Sequence, residues 1–349
     1  MDNILFEWFR RQFSNAQLVI LLILLATLFA VILIFGQMLG PALVAIVLAY
    51  LMDTPIERLK LRGFNQSISI GMVYLLFITL LVFMIVVLLP LLSSQITEFL
   101  SAVPAMVQSG RTMVAELPET YPALLSVEQL NEIVNTMSRS MTEFAQQALS
   151  KSLSYIPGII TVLIYLVLVP LLVFFMVKDK RVLFSWFTSF LPDDHSLAEQ
   201  VWHEVDLQIG NYIRGKFWEM FIVGSATYLA FVWLGLQYSL LLGVLVGLSV
   251  LVPFVGATVV TIPVAAVAFY QFGWGGEFGA VMLIYGVIQA LDGNVLVPLL
   301  FSEVVNLHPV AIIVAVLFFG GLWGFWGVFF AIPLATLVKA VISAWPKLR

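Results

Sequence analysis

Long apolar stretches with almost no charge dominate the chain. The clearest are Leu18–Phe35, Ile68–Leu92, Ile156–Val177, Phe217–Leu236 and Phe278–Leu291, and another apolar segment starts at Gly40. Roughly 20 apolar residues at about 1.5 Å per residue cross the hydrocarbon core of a bilayer. A water-soluble helix of that length would carry charges along its outer face. The pattern therefore predicts an all-α, polytopic membrane protein of about eight transmembrane helices.

Two C-terminal segments depart from plain spans. Leu240–Val252 is apolar, Pro253-Phe254-Val255-Gly256 interrupts it, and Ala257–Tyr270 resumes. Pro309–Phe319 runs into a stretch rich in glycine and aromatics, with Gly320, Gly321 and Gly324, before Val328–Val341. Proline removes a backbone donor and glycine relaxes the backbone, so both segments read as broken helices or re-entrant hairpins. Irregular backbone at that depth survives only inside protein or beside a wet cavity. Paired interruptions of this kind point to a transport site. The other reading is close helix packing, because Gly36/Gly40, Gly243/Gly247 and Gly320/Gly324 stand at GxxxG spacing.

Two polar regions separate the apolar ones. Residues 93–154 read as helix, turn, helix, broken around Pro118 and Pro122. Ser126 and Gln129 form a capping box, and Leu130, Ile133, Val134, Met137, Met141 and Phe144 make one apolar stripe beyond it. That stripe needs a helix, a neighbouring subunit or a lipid surface to cover it. Residues 178–216 read as a second polar loop, with a turn and cap at Leu191-Pro192-Asp193-Asp194 and a helix over Ser196–Gly210. The expected organisation is residues 1–92 as N-terminal membrane helices, 93–154 as a polar insertion, 155–177 as a membrane helix, 178–216 as a helical loop and 217–349 as the C-terminal membrane region.

Composition and charge narrow the picture. Charged residues make up 10% of the chain, against about 25% in soluble domains. The net charge of −4 leaves no basic footprint for nucleic acid. Without cysteine there is no disulfide and no thiolate chemistry. Arg10 and Arg11 precede a long apolar run with no small-residue cleavage site after it, which reads as a retained signal anchor. Basic residues gather at the N-terminus, at Arg58, Lys60 and Arg62, at Lys178, Lys180 and Arg181, and at Arg214 and Lys216. The 93–154 segment sets three basic residues against six glutamates. The positive-inside rule places both termini, the 53–67 loop and the 178–216 loop in the cytoplasm, and the insertion on the far side.

Gly210–Lys216 fits the first seven positions of a P-loop, but Phe217 stands where a Ser or Thr must hold magnesium, and no strand leads in. The chain is expected to have no ATP site and no cofactor. His195, His203 and Asp206 do not close a metal ligand set at helical spacing.

Ionisable residues inside spans are costly, so each needs a reason. Tyr285, Gln289 and Asp292 are spaced four and three, on one helix face, with Asn294 close by. A carboxylate beside an amide and a phenol suits a cation, a proton or a hydroxylated solute. The competing reading makes Asp292 an interfacial cap after which the helix ends at Gly293. Glu219 and Glu303 are expected at span ends, and Asp53-Thr54-Pro55 reads as a helix end.

Several blocks together resemble the autoinducer-2 exporter family, and within it the PerM-type permeases. They are Leu48–Pro55, Pro170–Lys180, Tyr212–Lys216, Leu241–Gly256, Leu291–Asn294 with Pro298, and Asn306–Pro309 through Gly324–Pro333. The resemblance covers nearly the whole chain in the family's order. It implies about eight spans, cytoplasmic termini, a polar insertion after the third span, homo-oligomers and a bacterial inner-membrane location. It also implies transport, with export of the furanone signal as the namesake activity. It supplies no site residues.

Three functions compete. The first is a gradient-driven permease exporting a small solute, with cation-for-proton exchange as a variant. The second is a non-transporting scaffold that binds envelope partners through residues 93–154. An intramembrane enzyme is the weakest, since no His-Glu-x-x-His motif or paired catalytic residues fall within spans.

Overall fold

In a computed structural model, the described residues are 16–36, 38–120, 143, 146–147, 156–192, 196–253, 255–301 and 307–344. Their regular structure is all helical, with no strand among them. The helices are α1 (Ala16–Phe35), α2 (Gly40–Leu61), α3 (Gln66–Phe83), α4 (Leu89–Thr120), α5 (Ile156–Lys178), α6 (Lys180–Thr188) and α7 (Ser196–Trp233). They continue as α8 (Ser239–Ser249), α9 (Val255–Phe272), α10 (Gly276–Leu291), α11 (Val297–Phe301), α12 (Pro309–Phe329) and α13 (Ala331–Ala344). A π-helical turn, Met84–Leu88, joins α3 to α4, and another, Asp292–Leu296, joins α10 to α11. Four helical runs are long and apolar enough to cross a membrane, and a fifth is added if α5 and α6 count as one bent span.

The chain forms two compact units. The first contains Met1–Ile78, Leu163–Phe217 and Pro298–Arg349, and the second Thr79–Val162 and Trp218–Val297. In the first unit, Ala45, Met52 and Ile56 of α2 pack with Ile70 and Val73 of α3 and with Val169, Val173 and Val177 of α5. A second cluster joins Leu21 of α1, Val201 and Val205 of α7 and Ala340 of α13. Here α2 corrects one expectation. The helix does not end at Asp53-Thr54-Pro55 but runs on to Leu61, with Pro55 inside it. Met52 and Ile56, one turn apart, are both buried in the same cluster, and that packing outweighs the single hydrogen bond that Pro55 forfeits.

The second hairpin segment also lies in this unit. Gly324 has φ 60° and ψ −135°. A side chain resists that backbone conformation, and the chain reverses there. Ala315, Val316 and Phe319 before it pack with Ala331, Leu334 and Ala335 after it. A Cβ on Gly327 would overlap the Phe319 carbonyl oxygen, so the two arms touch backbone to backbone near the turn.

The second unit is built around Val223 and Phe231 of α7, Leu242, Val246 and Val250 of α8, Val264, Val267 and Ala268 of α9, and Val281 and Tyr285 of α10. The arms α8 and α9 form the other hairpin, turning at Pro253. The Gln271 side chain donates to the Gly235 carbonyl (2.8 Å) and accepts from the Gln237 N–H (2.7 Å), so the end of α9 returns to the start of α8. The Gln95 side chain of α4 accepts from the Leu241 N–H at 2.9 Å. That contact satisfies a donor in the first turn of α8. Gly243 and Gly247 of α8 lie directly on the backbone of α7. A Cβ on Gly247 would sit 2.8 Å from the Met220 carbonyl oxygen. Both features expected of the 240–270 segment, interruption and close glycine packing, are thus present in one hairpin.

Candidate functional site

Helix α10 opens at Gly276, carries apolar residues into the core of the second unit and does not stop at Asp292. It passes through the π turn and continues as α11 to Phe301, a run of 26 residues. Asp292 therefore lies well inside a helix rather than at its end. A π turn inserts one extra residue and rotates the helix beyond it, and such turns gather at functional sites.

Tyr285 is buried, with its hydroxyl 3.0 Å from the Thr261 hydroxyl and 3.2 Å from the Ala257 carbonyl oxygen. The Thr261 hydroxyl donates to that same carbonyl at 2.8 Å. Three oxygens thus share two protons and tie α10 to the first turns of α9, just past the hairpin reversal. Gln289 stands one turn after Tyr285 and is half-buried, and its amide nitrogen is enclosed with no hydrogen-bond partner among the described residues. A buried amide donor left in that state costs about 1–3 kcal/mol, so it marks a place suited to an acceptor group. Asp292 comes next on the same face, half-buried, with one carboxylate oxygen enclosed. Asn294 sits apart from the other three. It is exposed, and its amide donates to the Ala290 carbonyl of its own helix at 2.8 Å.

Each glycine or proline expected to interrupt a helix has a distinct setting. Pro253 occupies the turn between α8 and α9, and a Cβ on Gly256 would overlap the Ser249 carbonyl oxygen. Gly324 carries the non-helical backbone of the other hairpin, and a Cβ on Gly320 would meet the Val328 side chain at 2.7 Å. Gly321 has open space around it.

Other polar residues emerge only from the structure. In the first unit Tyr50 of α2 donates to Asp206 of α7. Asp53 pairs with Lys180 of α6 at 2.5 Å, and Arg214 donates to Asn211 at 2.7 Å. Tyr212 is buried and donates to the Phe329 carbonyl at the end of α12 (2.9 Å). Lys216 is 6% exposed, with its ammonium 5.2 Å from the centre of the Phe301 ring. In the second unit Glu219 is 2% exposed, enclosed by protein. It lies in α7, whose 38 residues run unbroken from Ser196 to Trp233, two residues into the apolar stretch that begins at Phe217. The would-be P-loop residues 210–216 are an ordinary stretch of that helix. One signal was available in the sequence. Tyr212, Lys216 and Glu219 repeat the spacing of Tyr285, Gln289 and Asp292: a tyrosine, a polar residue four later and an acid three beyond that. Residues 121–142, which carry the capping box and most of the apolar stripe, and His195 and Glu303 lie outside the described residues.

The family model described as AI-2E family transporter matches residues 19–347. The chain belongs to that family. It is 49% identical over 346 residues to a protein of Escherichia coli K12 named "Putative permease PerM", covering 99% of this chain and 98% of that one. It is 27% identical to "Putative transport protein YueF" of Bacillus subtilis, covering 86% and 82% of the two chains. A second Bacillus subtilis relative, "Putative transport protein YrrI", is 23% identical over 88% and 87%. Membership agrees with the apolar helices in making the chain a multi-pass membrane protein of a transporter family. The blocks that carry the resemblance include residues that meet in space, Asp53 with Lys180 among them.

Proposed function

We propose that this protein is a gradient-driven permease of the bacterial inner membrane that exports a small polar solute, with cation-for-proton exchange as the variant the same site would serve. The observation that carries this reading is the face formed by Tyr285, Gln289 and Asp292, set in a helix interrupted by a π turn and packed beside the α8–α9 hairpin. An enclosed amide donor next to a carboxylate inside an apolar helix is expensive unless a solute or ion uses it.

The topology that fits has six crossings (α1, α2, α3, α5, α7 and α10–α11) and two hairpins, α8–α9 and α12–α13, which makes eight membrane-embedded elements. Each hairpin returns the chain to the side it left, so sidedness does not depend on how deep its arms reach. With the basic loops inside, both termini are cytoplasmic. Homo-oligomers fit the family as well.

The test is flux in reconstituted vesicles. Asp292→Asn keeps shape and hydrogen bonding but removes the charge. Vesicles loaded with a pH-sensitive dye report sodium- or lithium-driven proton movement, and a preloaded furanone reports solute efflux. Loss of flux in Asp292→Asn, with assembly unchanged, supports the site. Wild-type flux in the variant removes Asp292 from the pathway.

A further inference from the structure

Helix α6 is out of place for a simple loop helix. The chain leaves the apolar helix α5 at Lys178 and turns by 79° into α6. Helix α6 has 9 residues. At 1.5 Å each they reach only about 13 Å, too short to continue a span. Two contacts fix its orientation. Lys180 at its start pairs with Asp53 of α2, and the Phe184 ring lies 6.5 Å from that of Trp202 on α7. The adjoining arc carries Val182, Leu183, Trp186 and Phe187, extended by Phe190 just past the helix. All are exposed, Trp186 at 56%, Phe187 at 64% and Phe190 at 70%. At about 100° per residue these five cover one arc of about 140°, while Arg181, Ser185, Thr188 and Ser189 share the other side.

We propose that α6 is an interfacial anchor, seated in the headgroup layer of a bilayer that contains anionic phospholipid. The near right angle to α5 lays α6 along the membrane surface at the point where a span emerges. The apolar arc, with its tryptophan and phenylalanines, suits the boundary between headgroups and acyl chains, where aromatic rings settle. At the α5–α6 corner Lys178, Lys180 and Arg181 stand against Asp179 and the Asp53 that pairs with Lys180, and this basic excess supplies the charge complementarity that selects an anionic surface. A helix that must shield this apolar arc from water has the bilayer beside it already.

The chain has no cysteine, so single nitroxide-labelled cysteines report on one position at a time. The full chain is reconstituted in vesicles of phosphatidylethanolamine and phosphatidylglycerol. With Leu183→Cys, Trp186→Cys and Phe187→Cys, the ratio of oxygen to nickel-chelate accessibility should be several-fold higher than with Ser185→Cys and Thr188→Cys. In vesicles of phosphatidylcholine alone the difference should shrink, and Arg181→Gln should shrink it in the anionic vesicles too. Chelate-accessible labels along the apolar arc overturn the proposal, because water then covers that face. Spin–spin broadening with both reagents excluded overturns it in favour of a second copy of the chain. Equal burial in neutral and anionic vesicles overturns the lipid preference. Because each label replaces one exposed residue, any one of the three arc positions can be lost to misfolding without losing the comparison.

Discussion

Tyr50 donates its phenolic hydroxyl to a carboxylate oxygen of Asp206, 156 residues further along the chain. The pair joins α2 to α7 beside Gly210, whose missing side chain leaves room for the Tyr50 ring and the Arg214 guanidinium. A hydrogen bond to a charged acceptor is stronger than a neutral one, and removing the donor leaves a half-enclosed carboxylate. Tyr50→Phe should destabilise the protein by about 1–3 kcal/mol in an SDS-unfolding titration in mixed micelles. Asp206→Asn, which keeps an acceptor, should cost less. Equal effects would mean that the contact depends on the charge of Asp206 and not on an acceptor alone.

Helix α8 rests on α7 through glycines, and this gives a contrast within one residue type. A Cβ on Gly247 would press on the Met220 carbonyl at 2.8 Å and the Gly224 Cα at 3.0 Å, both backbone atoms that cannot swing aside. Gly247→Ala should cost about 1–3 kcal/mol by the same titration. Gly71 of α3 has nothing within 4 Å. Gly71→Ala should therefore be neutral or stabilise by up to about 1 kcal/mol through helix propensity.

The reversal between α12 and α13 depends on Gly324, whose φ is positive. That backbone strains any L side chain, and Gly324→Ala should cost about 1–3 kcal/mol. Gly321, three residues earlier with open space around it, should accept alanine without loss. Measuring vesicle flux in the same two variants tells whether the hairpin turn matters to transport beyond stability.

The Asp53–Lys180 pair is partly open to solvent, with side chains 30% and 58% exposed. Such pairs are screened and contribute less than about 1 kcal/mol. A double-mutant cycle with Asp53→Asn and Lys180→Gln should therefore give a coupling energy below that value, shrinking further in high salt. A coupling of several kcal/mol would show that the pair is better shielded than its exposure indicates.

The periodicity and composition of the chain settled its solvent and its secondary structure. Apolar runs from Leu18 to Val341 cannot be soluble helices, since too few charges exist to cover them, and the described residues are helical accordingly. The interruptions at Pro253 and at Gly324 were also legible, because proline and glycine act on the local backbone wherever they stand. Tertiary packing decided what local signals left open or got wrong. Pro55 marks a helix end by propensity, yet Met52 and Ile56 bury on either side of it and carry α2 through to Leu61. The amphipathic stretch 196–210 and the apolar one from Phe217 read as separate elements in the sequence and are one helix, in which Glu219 is enclosed by protein. Whether an interrupted segment breaks or folds back depends on partners far along the chain, such as Gln271 at Gly235 and Ala335 at Ala315. The meeting of Tyr50 with Asp206 was invisible for the same physical reason: helix period and residue propensity act over a few residues, whereas side chains 156 positions apart are brought together only by how whole helices pack.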